Sequence, residues 1–199
     1  MFLAFVFPLL GYLAGSLACA VIVCRVMGLE DPRRAGSGNP GATNVLRLGG
    51  RKAAAFTLAG DILKGVIPVL AAHALDVPEP ALALTALGAF LGHLFPVFFR
   101  FQGGKGVATA FGAIAALSWP VGVGFALAWL GVAGATRFAS LASLVAAALA
   151  PVLAFLLTGS ALHTVVLALI GALIAWRHRD NIRRLRAGTE GRIGHKTTG

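Results

Sequence analysis

Residues 141–176 read LASLVAAALAPVLAFLLTGSALHTVVLALIGALIAW, without one Asp, Glu, Lys or Arg. As a single helix this run would be about 36 residues, or ~54 Å at 1.5 Å per residue. A hydrocarbon core is only about 30 Å thick. The run therefore folds back, and Thr158-Gly159-Ser160 is where its apolar character breaks. Upstream, Val107 to Thr136 is interrupted in the same way at Trp119-Pro120 and ends at Arg137. Phe2–Cys24, Ala53–Leu75 and Ala81–Phe99 are further apolar runs of spanning length. The pattern predicts an all-α polytopic integral membrane protein, one domain over residues 1–199, with seven transmembrane helices. The helix after Lys105 is then short. Five crossings, with Arg137 outside, is the alternative.

Composition agrees. The chain has 199 residues, 58% hydrophobic and only 12% charged, with a mean hydropathy of +0.85. A soluble domain of this size needs more polar surface. The net charge of +10 comes from 17 Lys and Arg, gathered in a few segments. Arg25, Arg33, Arg34, Arg47, Arg51 and Lys52 follow the first span. Arg100 and Lys105 follow the third. Arg177, Arg179, Arg183, Arg184, Arg186, Arg192 and Lys196 form the tail. The turn Asp76-Val77-Pro78-Glu79-Pro80 carries acids only. The positive-inside rule places the N-terminus outside and the basic segments and C-terminus in the cytoplasm. Because the basic residues flank spans, nucleic acid is not an expected partner. The first span lacks a charged n-region and an A-x-A site before Arg25, so it reads as a membrane helix, not a signal peptide. Cys19 and Cys24 offer no disulfide framework or metal spacing and pack as small hydrophobes. Two GxxxG patterns, Gly11–Gly15 and Gly88–Gly92, suit close helix contact, but among 26 glycines they say little.

Three polar segments carry the chemistry. Gly36-Ser37-Gly38-Asn39-Pro40-Gly41-Ala42-Thr43-Asn44-Val45-Leu46-Arg47 contains a G-x-G-x-x-G without the preceding strand that a dinucleotide fold needs. Its glycines still let backbone N–H groups converge on an anion. Ser37, Asn39, Thr43 and Asn44 add hydrogen-bonding side chains, and Arg47 adds a fork for phosphate. The second segment is Gly103-Gly104-Lys105-Gly106, entering a helix. Gly106 stands where a Walker loop has Ser or Thr for Mg²⁺, so a nucleotide triphosphatase is rejected. A glycine turn at a helix start beside a Lys remains a phosphate cradle. The third segment runs from His178 through Asn181 and Arg184 to Glu190. On a helix, His178, Asn181 and Leu185 share a face with Arg184 near it. That face presents an imidazole, an amide and a guanidinium; a basic helix resting on anionic lipid is the plainer alternative.

Asp61 and Lys64 lie three apart within a span and share a helix face. Each costs about 2.5–3.5 kcal/mol at the bilayer centre, so they pair or face a cavity. His93 is either a packing residue or part of a site. No G-x-S-x-G elbow and no H-E-x-x-H motif occurs.

In order and spacing, GSGNPGATNVLR at 36–47, GDILKG at 60–65, GHLFPVFFRFQGGKGVAT at 92–109 and HRDNIRRLRAGTE at 178–190 resemble the bacterial acyl-phosphate glycerol-3-phosphate acyltransferases. The resemblance spans nearly the whole chain. It implies transfer of a fatty acyl group from acyl phosphate to the 1-hydroxyl of sn-glycerol 3-phosphate, yielding lysophosphatidic acid and phosphate, the first acylation of bacterial phospholipid synthesis. It implies seven helices in the bacterial inner membrane, a cytoplasmic active face, and no metal, nucleotide or other cofactor. Expected partners are acyl phosphate, glycerol 3-phosphate, membrane lipid and the enzyme that supplies acyl phosphate. An acyl phosphate is a mixed anhydride and needs no protein nucleophile. The task left to the protein is to hold two anions together. Gly103, Gly104, Lys105 and Gly106 are expected at the acyl phosphate. Gly36, Ser37, Gly38, Asn39, Thr43, Asn44 and Arg47, with His178, Asn181 and Arg184, are expected at the phosphate groups and at glycerol 3-phosphate. His178, Asn181, Lys105 and Ser37 are the candidate catalytic residues; Asp61, Lys64, His93 and Glu190 support them. The three segments are expected to form one pocket. The proton acceptor is either His178 or the leaving phosphate. A midplane anion transporter and a noncatalytic lipid-binding scaffold are the rivals; the transporter fits poorly because no internal repeat shows.

Overall fold

The computed structural model describes residues 2–193. Lys196, counted above with the basic tail, lies outside them. The described residues are helical and contain no strand. They form two compact units, one ending at Leu117 and one beginning at Ser118.

The first unit holds α1 (Phe2–Gly15), α2 (Cys19–Val26), α3 (Ala42–Ala74), α4 (Glu79–Leu94) and α5 (Val107–Leu117). The expected first span is broken: α1 stops at Gly15 and α2 resumes at Cys19. Ser16 folds its hydroxyl back onto the Tyr12 carbonyl at 2.8 Å. Freed from helix pairing, the Leu17 carbonyl accepts Lys64 Nζ at 2.7 Å. α3 starts well before Ala53 and kinks at Gly50, whose φ of 73° favours glycine. The α1–α4 contact is built by the two GxxxG patterns facing each other. A Cβ on Gly11 or Gly15 would strike the Thr85 or Ala89 backbone, and one on Gly88 or Gly92 the Pro8 or Tyr12 backbone. Those glycines proved more telling than their frequency suggested. Small residues replace hydrophobic driving force in lipid by letting backbones approach.

The second unit holds α6 (Trp119–Thr136), α7 (Ala139–Thr158), α8 (Ala161–Arg177) and α9 (Arg179–Arg186). The 141–176 run is two helices parted at Gly159, a left-handed C-cap with φ 64°. Arg137 caps α6 in the same conformation, and its carbonyl accepts the Ile193 N–H at 2.7 Å. The start of α7 and the tail after α9 thus lie at one end of this unit.

Among the described residues, five helical segments are long and apolar enough to cross a membrane: Phe2–Val26, Ala42–Ala74, Glu79–Phe99, Trp119–Thr136 and Ala139–Thr158. The pair Ala161–Arg177 and Arg179–Arg186, bent by 61°, makes a sixth. Val107–Leu117 is apolar but shorter. The apolar residues left exposed include Phe5, Ile67, Leu130, Phe155 and Leu169, a surface suited to lipid.

Candidate functional site

In the first unit, the 36–47 loop is organised by one buried amide. Asn44 is 1% exposed. Its Oδ1 accepts the Ser37 N–H at 2.9 Å, and its Nδ2 donates to the Pro32 and Ala35 carbonyls at 2.9 and 3.0 Å. Expected to face a ligand, Asn44 instead clamps the loop. Gly36 and Gly38 adopt left-handed φ of 62° and 71°, and a Cβ on Gly36 would collide with the Asn44 amide. The clamp leaves Ser37, Gly38, Thr43 and Arg47 exposed, while Asn39 is half-buried. Thr43 and Arg47 are four apart at the start of α3 and project from one face.

The second segment meets this loop. A Cβ on Gly104 would stand 3.0 Å from the Pro40 carbonyl and 2.5 Å from His93 Nε2. One on Gly103 would enter the His93 and Leu94 carbonyls. Gly104 donates its N–H to the His93 carbonyl at 3.2 Å. Gly106, at φ 79°, packs against Phe90 and Leu94. Only glycines fit these three places, and the half-buried Lys105 rises between them.

Beneath the turn lies the intramembrane polar cluster. Asp61 and Lys64 are 2% and 5% exposed. Lys64 Nζ sits 2.9 Å from Asp61 Oδ1, and His93 Nδ1 3.6 Å from the same oxygen. Thr109 Oγ1 is 3.1 Å from His93 Nδ1. His93 therefore touches the ion pair with its ring and the glycine turn with its backbone. Of the open alternatives for these residues, the structural pair is what the geometry shows. Thr109 and the Leu17 carbonyl were not anticipated. Thr109 stands inside the GGKGVAT run, in the first turn of α5.

In the second unit, His178 ends α8 and begins α9. It is 2% exposed, and its Nδ1 lies 2.8 Å from the Ile174 carbonyl. A carbonyl only accepts, so Nδ1 carries a hydrogen; when the ring is neutral, Nε2 holds its lone pair. Glu190 gathers the rest of this segment. Its Oε1 accepts from Asn181 Nδ2 and Ser140 Oγ, each at 2.6 Å. Its Oε2 accepts from Arg184 Nε at 2.7 Å. Burial alone would raise the Glu190 pKa, but the hydrogen bonds from Ser140, Asn181 and Arg184 outweigh it and hold the carboxyl below its ordinary value. Ser140 was missed because nothing in the α7 sequence distinguishes its serines. Among the described residues no group of His, Cys, Asp and Glu is arranged to hold a metal ion.

A model of the glycerol-3-phosphate acyltransferase family matches residues 5–188. A glycerol-3-phosphate acyltransferase of Thioalkalivibrio sulfidiphilus is 54% identical over 197 residues, 99% of this chain and 97% of the relative. One of Methylococcus capsulatus is 54% identical, covering 93% of each. The crystal structure of PlsY (YgiH), an integral membrane glycerol 3-phosphate acyltransferase, in its glycerol 3-phosphate form superposes with a TM-score of 0.90 at 41% identity, covering 96% of both chains. Its lysophosphatidic acid form gives 0.88 at 40% identity, covering 96% of this chain and 95% of that one.

Proposed function

The chain belongs to the glycerol-3-phosphate acyltransferase family, and we propose that it acylates the 1-hydroxyl of sn-glycerol 3-phosphate with an acyl phosphate as donor. It is an integral membrane acyltransferase. The single observation that carries the donor assignment is the Gly103–Gly106 turn, three glycines around a lysine with no Ser, Thr or Cys among them. A thioester donor would offer no phosphate at the reacting carbon. A mixed anhydride brings its own leaving group and its own charge to that cradle.

In the proposed reaction the turn and Lys105 hold the donor phosphate. Ser37 and Arg47 present hydrogen bonds and charge to the anions, with Asn44 fixing the loop that carries Ser37. Gly36, Gly38, Asn39 and Thr43 complete that loop's polar surface. His178, Asn181 and Arg184 bind glycerol 3-phosphate, and Glu190 holds the last two in place. The substrate hydroxyl attacks the acyl carbonyl. The new ester C–O bond forms, the bond to the phosphate oxygen breaks, and phosphate leaves with the electron pair. The lone pair on His178 Nε2 supports this residue as the acceptor of the hydroxyl proton.

The same proposal includes seven crossings, an external N-terminus and a cytoplasmic active face in the bacterial inner membrane. Counting α5 as a crossing gives seven. Its 11 residues rise about 16 Å, about half a hydrocarbon core, and the proposal places the glycine turn at its deeper end, within reach of a lipid donor. An enzyme that supplies acyl phosphate is the expected partner.

Purified protein given acyl phosphate, acyl-CoA or acyl carrier protein with labelled glycerol 3-phosphate tests the donor. Product from acyl phosphate alone is expected; equal product from a thioester would overturn the assignment. His178→Ala is expected to lower kcat about 10²–10⁴-fold. A raised KM with unchanged kcat would assign the proton to the leaving phosphate instead.

A further inference from the structure

The first unit holds a cavity of about 670 Å³ that none of the catalytic assignments uses. No residue of the 36–47 loop or the 103–106 turn lines it. Its walls bring four arginines together, Arg25, Arg33, Arg34 and Arg100, against one carboxylate, Asp31. That carboxylate is already engaged. Asp31 Oδ1 accepts the Arg33 N–H and Nε–H, both at 3.0 Å, and Oδ2 accepts Nη2 at 2.6 Å. The Arg33 guanidinium holds the Asp31 carboxyl below its ordinary range. The side chains of Arg25, Arg34 and Arg100 are exposed and make no hydrogen bond or ion pair among the described residues; Arg34 feels only the pull of the already engaged Asp31. Four guanidiniums thus share one carboxylate around one concavity, an excess of three positive charges.

The backbone under Arg100 is unusual. Arg100 and Phe101 are consecutive non-glycine residues in the left-handed region, at φ 55° and 59°. Such conformations are uncommon and persist where surrounding structure enforces them, often at ligand clamps. Here the Phe99 and Phe101 N–H groups both donate to the Pro96 carbonyl, at 3.0 and 2.9 Å. The result is a knuckle that carries Arg100 to the cavity rim. Between the cations the wall is apolar, with Leu29 and Phe98, the latter 58% exposed.

Guanidinium forks match phosphate oxygens, and the exposed apolar wall matches hydrocarbon. The cavity also sits where two spanning segments end, Phe2–Val26 and Glu79–Phe99. We propose that it is a second anion site, taking the phosphate of an anionic membrane phospholipid whose upper chain carbons lie against Phe98. Free phosphate shares the headgroup chemistry but leaves the apolar wall wet. This site shares no residue with the catalytic assignment.

The test is binding of phosphatidylglycerol, phosphatidylcholine and inorganic phosphate to the full-length protein in detergent, read by native mass spectrometry. Phosphatidylglycerol should be retained over phosphatidylcholine. The R34Q/R100Q variant should bind it about 30-fold more weakly, the effect of two basic residues at a lipid surface. Lys105→Gln should bind it as the parent does. Should the double variant lose thermal stability in the same detergent, Arg25→Gln is measured in its place, with about fivefold weaker binding expected. Unchanged retention in the charge variants would overturn the site. Loss of retention in Lys105→Gln would merge it with the cradle and overturn its separateness. Inorganic phosphate binding as tightly as the lipid would overturn the lipid assignment.

Discussion

The glycine turn at 103–106 and the helical segment at 178–190 present the same kinds of group, cations and hydrogen-bond donors, by opposite means. The turn is held from below by its own lack of side chains. Gly103, Gly104 and Gly106 fit spaces that the backbone of His93 and Leu94, the His93 ring and the Phe90 ring leave open. Its support is an ion pair within a spanning segment, Asp61 with Lys64, reached through His93. The 178–190 segment is held from the side by one carboxylate, Glu190, whose side chain is 7% exposed. Arg184 is 46% exposed at the ion pair with Glu190. The first arrangement is insulated from solvent and tolerates no added atom. The second adapts to side-chain replacement but is sensitive to protonation. This difference has measurable consequences.

The largest effect is expected at the insulated end. Asp61→Asn removes one partner of a buried pair and leaves the Lys64 ammonium uncompensated, at a cost of about 3–5 kcal/mol. Thermal unfolding in detergent checks it. The double replacement Asp61→Leu with Lys64→Met should recover most of that stability, since removing both charges together removes the uncompensated one. If the double variant is as unstable as the single, the pair is not the turn's foundation.

Gly103→Ala sharpens the contrast next. The added Cβ has only backbone carbonyls to meet, so the turn itself must shift. A displacement of about 1 Å at a binding group costs about 10²-fold. A fall in kcat/KM of that order, with little change in unfolding temperature, is expected. Near-normal turnover would mean that the turn is not a binding element.

The smallest effect lies at the accessible end. Glu190→Gln keeps an acceptor for Asn181 but drops the charge on Arg184. A rise of about tenfold in KM for glycerol 3-phosphate is expected, the weight of one charge-assisted hydrogen bond. The pH dependence follows from the depressed Glu190 pKa. A depressed carboxylate stabilises the folded clamp above its unfolded value, and that stabilisation is lost as pH falls through the folded value. The clamp therefore persists at neutral pH and fails only in acid, below the ordinary carboxylate range. The ratio of variant to parent KM should stay constant from neutral pH downward and approach one only there. Taking the ratio cancels the substrate's own phosphate titration.

Much of this was legible in the linear chain. The 141–176 run is too long for one crossing, and the break at Gly159 was visible from its neighbours. The break at Trp119-Pro120 was equally plain. Other boundaries were hidden. Nothing apolar changes between Gly15 and Cys19, so the interruption of the first span left no mark; it shows only through what the Leu17 carbonyl does with Lys64. The first turns of α3 were hidden by their polar residues and by the kink at Gly50. Five to six helical segments meet the length and composition of a crossing, and the seventh depends on α5, whose shortness the sequence had already implied.

Residue types and spacing alone determined a polytopic helical membrane protein and led to the proposal of anion handling: apolar runs sized to lipid, glycines without side chains and arginines in loops are local properties that survive without coordinates. They also marked Asp61 and Lys64 as partners, because three residues apart on a helix is a contact. Tertiary structure alone decided that Asn44 clamps its own loop, that Ser140 joins Asn181 and Arg184 on Glu190, and that the Pro40 carbonyl lies against Gly104. These contacts join residues from 6 to 64 positions apart, and many arrangements of the same helices would satisfy the same hydropathy. Side-chain geometry, not pattern, selects among them.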